Sequence, residues 1–445
     1  MNLFLILILF LSKNIKNVIK IPFKKEKITS ISSLLDNNIY TKIEIGSPIQ
    51  TIEIPIFFNE INLVIPCLNF SSFSYNFFNQ SKSETFYNES LHTMIRLQNK
   101  YRFEYQEFKG KFSTENFYFS DQNNIKIKYE KFGFLQPLLG SNENNISIIK
   151  NGFVGLKYKE NFGNIDQNIL YQLKNPKNGE NLINSYAISV IYSDKFSGNI
   201  FIGELPHEFQ PQKFSFEFFK NKYVNLDSYN FNWKINFDKI FYFNESKFEF
   251  DLFLNAKFDL NFGGILGNFN YQKIVNESFF NELFIKKKCE NKIIKQKENN
   301  EIFYVYECEK NIKINKFNES IFFYSKEINF TFVLDKNDLF LKFNDKIYFL
   351  VFFSGYFPNW ILGEPFFKKF KMVFNQEKKM VGFYSDFKKV KKNYDKIINI
   401  FLLLFLLVCL AFFTYKIYFK KNKKIRANEL EDNYVYEAKN YYTKI

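Results

Sequence analysis

The sequence predicts an all-β protein. Residues 37–386 lack a sustained helical stripe of apolar residues, and their short alternating or apolar runs are separated by Asn, Asp, Ser and Gly. This pattern is typical of β-strands joined by turns. The 445 residues include 62 Phe and 28 Tyr, which favour strands, but only 16 Gly and 10 Pro. Such a composition is neither collagen-like nor that of a disordered chain, so we expect a globular protein with a large β core.

The strand-rich region is too long for one β-sandwich, which needs about 100 residues, so we expect two β domains. The first two runs, 40–46 and 51–56, predict a hairpin that turns at Ser47-Pro48. Further alternating segments lie at 112–128, 186–203, 233–243 and 328–350. We place the boundary near Pro206–Pro211, which gives an N-terminal domain of 37–205 and a C-terminal domain of 206–386.

The N-terminus predicts a signal peptide at 1–17. Nine apolar residues, Leu3 to Leu11, precede Ser12-Lys13. This run is too short to span a bilayer but has the length of a signal-peptide core. A buried β-strand is the alternative interpretation.

The C-terminal region predicts a membrane span at 397–415, a run of uncharged and mostly apolar residues. A basic linker, 387–396, precedes it, and the predicted cytosolic tail, 416–445, begins with several Lys residues. Because the signal peptide sets the orientation, we expect a single-pass type I membrane protein of the secretory pathway, at the cell surface or in an endolysosomal compartment. A terminal core helix is the alternative.

Asn-linked glycosylation is predicted on the N-terminal side of the span, because N-x-S/T triplets occur there and none follows the span. The predicted acceptors are Asn69, Asn79, Asn88, Asn145, Asn244, Asn276, Asn318 and Asn329.

The net charge of +15 does not predict a nucleic-acid partner, because the Lys residues are scattered among Glu and Asn and form no stripe. The two His, His92 and His207, lie far apart, and the four Cys show no CxxC spacing. We therefore expect no metal, no cofactor and no His-based triad. Any chemistry falls to carboxylates.

Several motifs, in collinear order, resemble the pepsin family of aspartic peptidases. The residues that carry the resemblance include Tyr40–Gln50, Asn62–Pro66, Gly152–Leu156 and Trp360–Phe367, followed by Val373-Phe374 and Lys379–Phe383. Residues 18–36 begin with Val18–Lys25, which resembles the start of a family prosegment.

The resemblance implies a bilobal fold with a long cleft, in which a monomer binds a peptide or protein in extended form. It implies a flap hairpin that carries Tyr105 over the cleft. It also implies a second-lobe disulfide between Cys289 and Cys308, which leaves Cys67 unpaired.

Aspartic peptidases need two carboxylates that share one proton, each in an Asp-Thr/Ser-Gly loop whose hydroxyl tethers the other lobe. By resemblance, Asp259 stands at the second catalytic position, but Leu260-Asn261 replaces Thr-Gly. Phe57 stands at the position of the first Asp. Asp259 is therefore expected to lack both its partner and its tether.

These substitutions predict a catalytically impaired, membrane-anchored homologue that binds peptide or protein in its cleft. One alternative is an active aspartic endopeptidase with an atypical dyad that uses Glu60 or a carboxylate from a partner. Another is a surface glycoprotein whose lobes form a rigid stalk. Asp259 itself has the alternative interpretation of an ordinary hydrogen-bonded turn residue.

Overall fold

The computed structural model describes residues 18–35, 37–67, 77–98, 105–137, 152–157, 168–177, 180–223, 233–242, 254–295, 301–312, 320–355, 359–384 and 402–423. Within these ranges the side chains of 90–98, 105–107, 218, 222, 223, 242, 254 and 278 are not described. The predicted signal peptide, 1–17, lies outside the described residues. The chain divides into two compact units, Met1–Ser385 and Asp386–Ile445.

Among the described residues of the first half of the large unit, most of the regular structure is β-strand. Their bounds are β1 (Ile19–Lys25), β2 (Ile39–Ile45), β3 (Gln50–Phe57), β4 (Leu63–Val64), β5 (Tyr87–Gln98), β6 (Tyr105–Asp121), β7 (Lys126–Pro137), β8 (Phe153–Gly155), β9 (Ala187–Tyr192), β10 (Ser197–Ile202) and β11 (Phe219–Tyr223).

The second half repeats this strand-rich construction. Its strands are β12 (Lys234–Phe237), β13 (Lys239–Tyr242), β14 (Leu254–Phe258), β15 (Ile265–Asn268), β16 (Cys289–Lys295), β17 (Ile302–Glu309), β18 (Ile321–Ser325), β19 (Phe330–Leu334), β20 (Phe340–Phe343), β21 (Lys346–Phe349), β22 (Val351–Ser354), β23 (Trp360–Leu362), β24 (Val373–Asn375) and β25 (Met380–Tyr384).

The helices of the large unit are short. They are α1 (Ile169–Lys174), α2 (Pro206–Phe209), α3 (Phe269–Val275), α4 (Asn281–Ile285), α5 (Lys336–Leu339) and α6 (Glu364–Phe370). A π-helical turn, Asn276–Phe280, joins α3 to α4, and 3-10 turns occupy Ile31–Leu34, Gln80–Lys82 and Phe216–Phe218.

A thirteen-stranded sheet joins both halves of the chain, in the order β11-β25-β24-β9-β10-β1-β2-β3-β8-β4-β7-β6-β5. The predicted hairpin is confirmed, since β2 and β3 pair in antiparallel register from Tyr40–Pro55 to Ile45–Gln50. Burial alternates along β2 as the sequence pattern predicts, with Ile39, Thr41, Ile43 and Ile45 inside. We call the part formed by β2–β10 the first lobe.

The second lobe is formed by residues 234–362. It contains a nine-stranded sheet, in the order β12-β14-β23-β15-β22-β17-β21-β20 with β16 beside β17, and a three-stranded sheet of β13, β18 and β19. The last two strands, β24 and β25, leave this lobe and enter the thirteen-stranded sheet. The thirteen-stranded sheet therefore contains strands from both ends of the chain, whereas the strands of residues 234–362 form separate sheets.

The same three-strand unit occurs once in each lobe. In the first lobe β3 pairs in parallel with β8, which pairs in antiparallel with β4. In the second lobe β14 pairs in parallel with β23, which pairs in antiparallel with β15. In each unit the residues between the outer two strands form a loop, and we call these the first loop (58–62) and the second loop (259–264).

The predicted disulfide joins β16 to β17. Cys289 and Cys308 are bonded, and they stand directly opposite each other in the antiparallel register. Cys67 is free and buried, and burial raises the pKa of its thiol far above the ordinary range.

The described part of the second unit is a single helix, α7 (Leu402–Lys423), with 22 residues and a mean hydropathy of 2.2. The most apolar stretch of this helix is not buried against other described residues. By length and composition this helix is a candidate membrane span. It overlaps the predicted span, 397–415, and ends later in the chain.

Candidate functional site

The two loops occupy equivalent positions in the two lobes. Phe57 ends β3, and Asp259 directly follows β14. The Gly155 N–H donates to the Asn62 carbonyl in the first lobe at 2.8 Å, and the Gly363 N–H donates to the Gly264 carbonyl in the second at 3.1 Å. Since Asn62 and Gly264 lie equally far beyond Phe57 and Asp259, this repeated bond makes Phe57 the counterpart of Asp259.

Phe57 belongs to an apolar cluster of the first lobe. Its half-buried ring packs on Phe153, with 5.4 Å between ring centroids. The other members of this cluster are Val64, Phe108, Phe112 and Leu135. At the position where the resemblance implies a carboxylate, the Phe57 ring thus makes apolar packing contacts. A phenyl ring has no group that can take up or release a proton.

Asp259 is 3% exposed and is held by the backbone around it. Its Oδ1 accepts a hydrogen bond from the Asn261 N–H at 3.0 Å. Its own N–H donates to the Leu362 carbonyl at 3.1 Å, and its carbonyl accepts from the Phe262 N–H at 3.2 Å. The side chain therefore closes a tight turn within its own loop.

Asn261 fastens the second loop to the first lobe. Its Nδ2 donates to the Ile56 carbonyl at 2.7 Å, and its Oδ1 accepts from the Phe58 N–H at 3.1 Å. The expectation that this loop lacks a tether is therefore wrong. The Asn261 carboxamide connects the lobes in place of the missing hydroxyl, because one amide carries both a donor and an acceptor.

Asn59 makes the reciprocal contact in a weaker form. It is the counterpart of Asn261, and its Nδ2 donates to the Phe258 carbonyl at 3.4 Å. Its Oδ1 is buried without a hydrogen-bond partner among the described residues. The pair is thus symmetric in position but unequal in bonding. The sequence signal was present, since both loops carry Asn where the resembled family carries Gly.

An aromatic cluster lies beneath the loops. The ring centroid of Phe58 is 4.7 Å from that of Phe374 and 5.7 Å from that of Phe367. Phe258 from the second lobe packs on the same two rings, at 5.5 Å and 6.3 Å. Phe58 and Phe258 are buried. Edge-on and tilted contacts of this kind add to the stabilisation from area burial, so the loops rest on a shared base.

Glu60 lies three residues beyond Phe57, and its backbone is built into the first lobe. Its carbonyl accepts from the Lys157 N–H at 2.8 Å, and its N–H approaches the Phe57 carbonyl at 3.4 Å. A Cβ added to Gly155 would come within 2.6 Å of the Glu60 carbonyl. The backbone of Glu60 is therefore fixed at its own place in the loop.

The other predicted site residues are spread over the large unit. Tyr105 begins β6 and pairs with Gln98 of β5, but its side chain lies outside the described residues. Asn329 is exposed, with a φ of 50°, in the turn between β18 and β19. The Asn276 Oδ1 accepts from the Tyr306 hydroxyl.

Two further predicted acceptors, Asn79 and Asn88, also lie in described segments. Asn79 caps a 3-10 turn, and Asn88 is exposed on β5. The remaining predicted acceptors lie outside the described residues, namely Asn69, Asn145, Asn244 and Asn318.

Within the described ranges, no group of three His, Cys, Asp or Glu side chains is placed to hold a metal ion. The two loops therefore carry two carboxylates, Asp259 and Glu60, and two carboxamides that connect the lobes, and the Phe57 ring occupies the position equivalent to Asp259.

No protein-family model matches the sequence, and no curated protein matches it. In contrast, 386 chains of known structure match, so the likeness is one of fold. Basic 7S globulin from soybean aligns with a TM-score of 0.57 and 13% identity, over 83% of this chain and 95% of that chain. Conglutin gamma, a basic 7S globulin from lupine seeds, aligns with a TM-score of 0.58 and 12% identity over the same shares.

At this identity the likeness shows the fold alone. The predicted bilobal, pepsin-like β fold is confirmed, together with one apolar C-terminal helix that is a candidate span. Membership of the pepsin family itself stays a prediction.

Proposed function

We propose that this chain is a non-hydrolysing, pepsin-like protein, anchored in a membrane, that binds an extended peptide or protein segment in the cleft between its lobes. The observation that carries the proposal is that Phe57, at the end of β3, occupies the position equivalent to Asp259, directly after β14. Peptide hydrolysis by this fold needs one ionised and one protonated carboxyl. A phenylalanine can serve as neither.

Loss of one member of such a pair removes most of the rate, because the general base and the general acid act together. Asp259 alone cannot activate a water and protonate the same substrate carbonyl at once. We infer that a bound peptide is released from the cleft without being hydrolysed.

Retention of the architecture around the loops supports a binding role. Asn261 connects the lobes through two hydrogen bonds, and Phe374 supports both loops from below. A preformed site binds at a lower entropic cost than one that must be ordered by its ligand. A cleft with a rigid floor is therefore suited to hold an extended chain.

The first experiment tests for hydrolysis. The full chain in detergent is incubated with unfolded protein and with a peptide library from pH 3 to pH 7, and new termini are detected by mass spectrometry. We expect none. Cleavage that disappears in both Asp259→Asn and Glu60→Gln would instead establish an active enzyme with an atypical dyad.

The second experiment tests for binding. Peptides retained by the full chain are sequenced and compared with those retained by Asp259→Asn, which keeps the shape of the side chain and removes its charge. The matched control is Asp345→Asn, because Asp345 is 87% exposed in a turn. We expect a consistent peptide motif that changes in the first variant only. No retention by the unmodified chain would favour a rigid stalk.

Anchoring by α7 and the type I orientation are part of the proposal. Asn329 offers a direct test, since it is exposed in a turn and opens a sequon. We expect Asn329→Gln to remove one glycan from the protein isolated from its native membrane, detected as a mass shift after glycosidase treatment. An unmodified Asn329 together with protease-accessible N-terminal lobes on the cytosolic side would overturn the orientation.

A further inference from the structure

The segment that resembles a prosegment is a central strand of the thirteen-stranded sheet. Strand β1 pairs with β10 in antiparallel register from Ile19–Ile202 to Lys24–Ser197. It also pairs with β2 through Lys24 and Lys25, and with β6 through Ile19 and Lys20. Strands therefore lie on both sides of β1, which makes it an interior strand and not an added edge.

The sheet is shaped to receive this strand. Phe23 is buried and faces Gly198 of β10. A Cβ on Gly198 would come within 2.5 Å of the Phe23 ring and 2.6 Å of the Ile191 carbonyl. Tyr192 packs edge-on against the same ring at 5.1 Å between centroids. Without Phe23 this arrangement would leave a cavity in the core.

The end of β1 carries a buried ion pair. Lys25 and Glu364 are in contact, with side chains that are 5% and 7% exposed. Burial lowers the pKa of Lys25, while Glu364 acts in the opposite direction. Glu364 begins α6, directly after β23 of the second lobe. Removal of β1 would take the Lys25 charge away from the almost fully buried Glu364 carboxylate, which also contacts Lys368.

The residues after β1 clamp the second loop. The Gly263 N–H donates to the Leu34 carbonyl at 2.8 Å, and the Asn37 N–H donates to the Asn261 carbonyl at 2.9 Å. The Asn37 Nδ2 donates to the Leu260 carbonyl at 3.2 Å. Leu34 is 1% exposed in a second-lobe cluster that includes Phe262. The segment thus bonds to three residues of the loop that carries Asp259.

We infer that Val18–Asn37 is a permanent part of the working protein and is not released during maturation. β1 lies inside the thirteen-stranded sheet, and Leu34 and Asn37 hold the second loop through backbone and side-chain hydrogen bonds. In this protein the stretch positions the site and does not act as a removable cover. This inference is independent of whether the cleft binds peptide.

The test uses the full chain in detergent, with the recognition sequence of a site-specific viral protease inserted between Glu26 and Lys27, which are both exposed. After complete cleavage, hydrogen–deuterium exchange is measured on peptides that cover β1 and β10. A matched control carries the same insertion in the exposed turn at Lys326-Glu327. It shows what a chain break alone does to exchange.

We expect amide protection in β1 to survive the break between Glu26 and Lys27, at the level measured for β10. Loss of protection throughout the large unit, with the control unaffected, would also support the inference, because the fold would then require the attached strand. The inference is overturned if β1 exchanges at once while β9 and β24 stay protected.

A second measurement needs no variant. The N-terminus of the folded protein from its native membrane is determined by mass spectrometry. A terminus at or before Val18 is the expected result. A folded protein that begins between Lys27 and Tyr40 would refute the inference while leaving the binding proposal untouched.

Discussion

Asn59 and Asn261 occupy equivalent positions, but we expect their replacement by Ala to change the free energy of unfolding by different amounts. Asn261→Ala removes the bonds to the Ile56 carbonyl and the Phe58 N–H. Both backbone groups then lose a side-chain partner at a buried site. An unsatisfied buried group costs about 1–3 kcal/mol, so we expect the free energy of unfolding to fall by about 2–6 kcal/mol.

Asn59→Ala removes much less. The single bond to the Phe258 carbonyl is long, at 3.4 Å, and the Asn59 Oδ1 has no partner in the described part of the chain. Deleting an unpaired buried acceptor offsets the loss of a weak bond. We therefore expect a change within about 1 kcal/mol of zero.

Urea unfolding of the full chain in detergent, followed by tryptophan fluorescence, measures the difference. The two Trp of the sequence, Trp233 and Trp360, are both buried in the large unit. Asn261→Asp serves as a further control, since it keeps the acceptor for Phe58 and loses the donor for Ile56. Equal losses in Asn59→Ala and Asn261→Ala would refute the assignment of Asn261 as the main tether.

Three further outcomes are expected. Replacing both Cys289 and Cys308 by Ser should lower the free energy of unfolding by about 3 kcal/mol, because the sequence separation of 19 sets the loop entropy; an unchanged urea midpoint would contradict this. Cys67 should resist maleimide in the folded protein and react after unfolding, since the thiolate is the nucleophile and burial raises its pKa; mass spectrometry of the labelled peptide decides. Gly198→Ala should destabilise by about 1–3 kcal/mol through overpacking, whereas Gly355→Ala, whose added Cβ meets nothing within 4 Å, should leave the unfolding midpoint unchanged.

Local patterns were sufficient to predict the β class and much of the strand placement. The hairpin of 40–46 and 51–56 is predictable because successive side chains of a strand point to opposite faces. This alternation and the turn between the strands can both be read from neighbouring residues. The disulfide between Cys289 and Cys308, which the resemblance implies, is confirmed, and the two strands that it joins are consecutive in the chain.

The cross-lobe contacts were not predictable in this way. Asn261 bonds to Ile56 and Phe58, which lie about two hundred residues earlier, and only the folded geometry brings these groups together. A carboxamide supplies both a donor and an acceptor, so the loss of a hydroxyl does not remove the tether. The place of β1 is not predictable from local patterns either, because its partner β10 is distant in sequence.

The thirteen-stranded sheet also sets the order in which the chain can fold. It joins β1 to β10, and β9 to β24 through Ser189–Val373, so its central ladders close contacts between residues far apart in the sequence. Such contacts slow folding, because a long loop must be closed before any bond is gained. The strands of residues 234–362 can pair among themselves as soon as they leave the ribosome. The central sheet must wait for β24 and β25, so completion of the fold is delayed until nearly the whole chain has been synthesised.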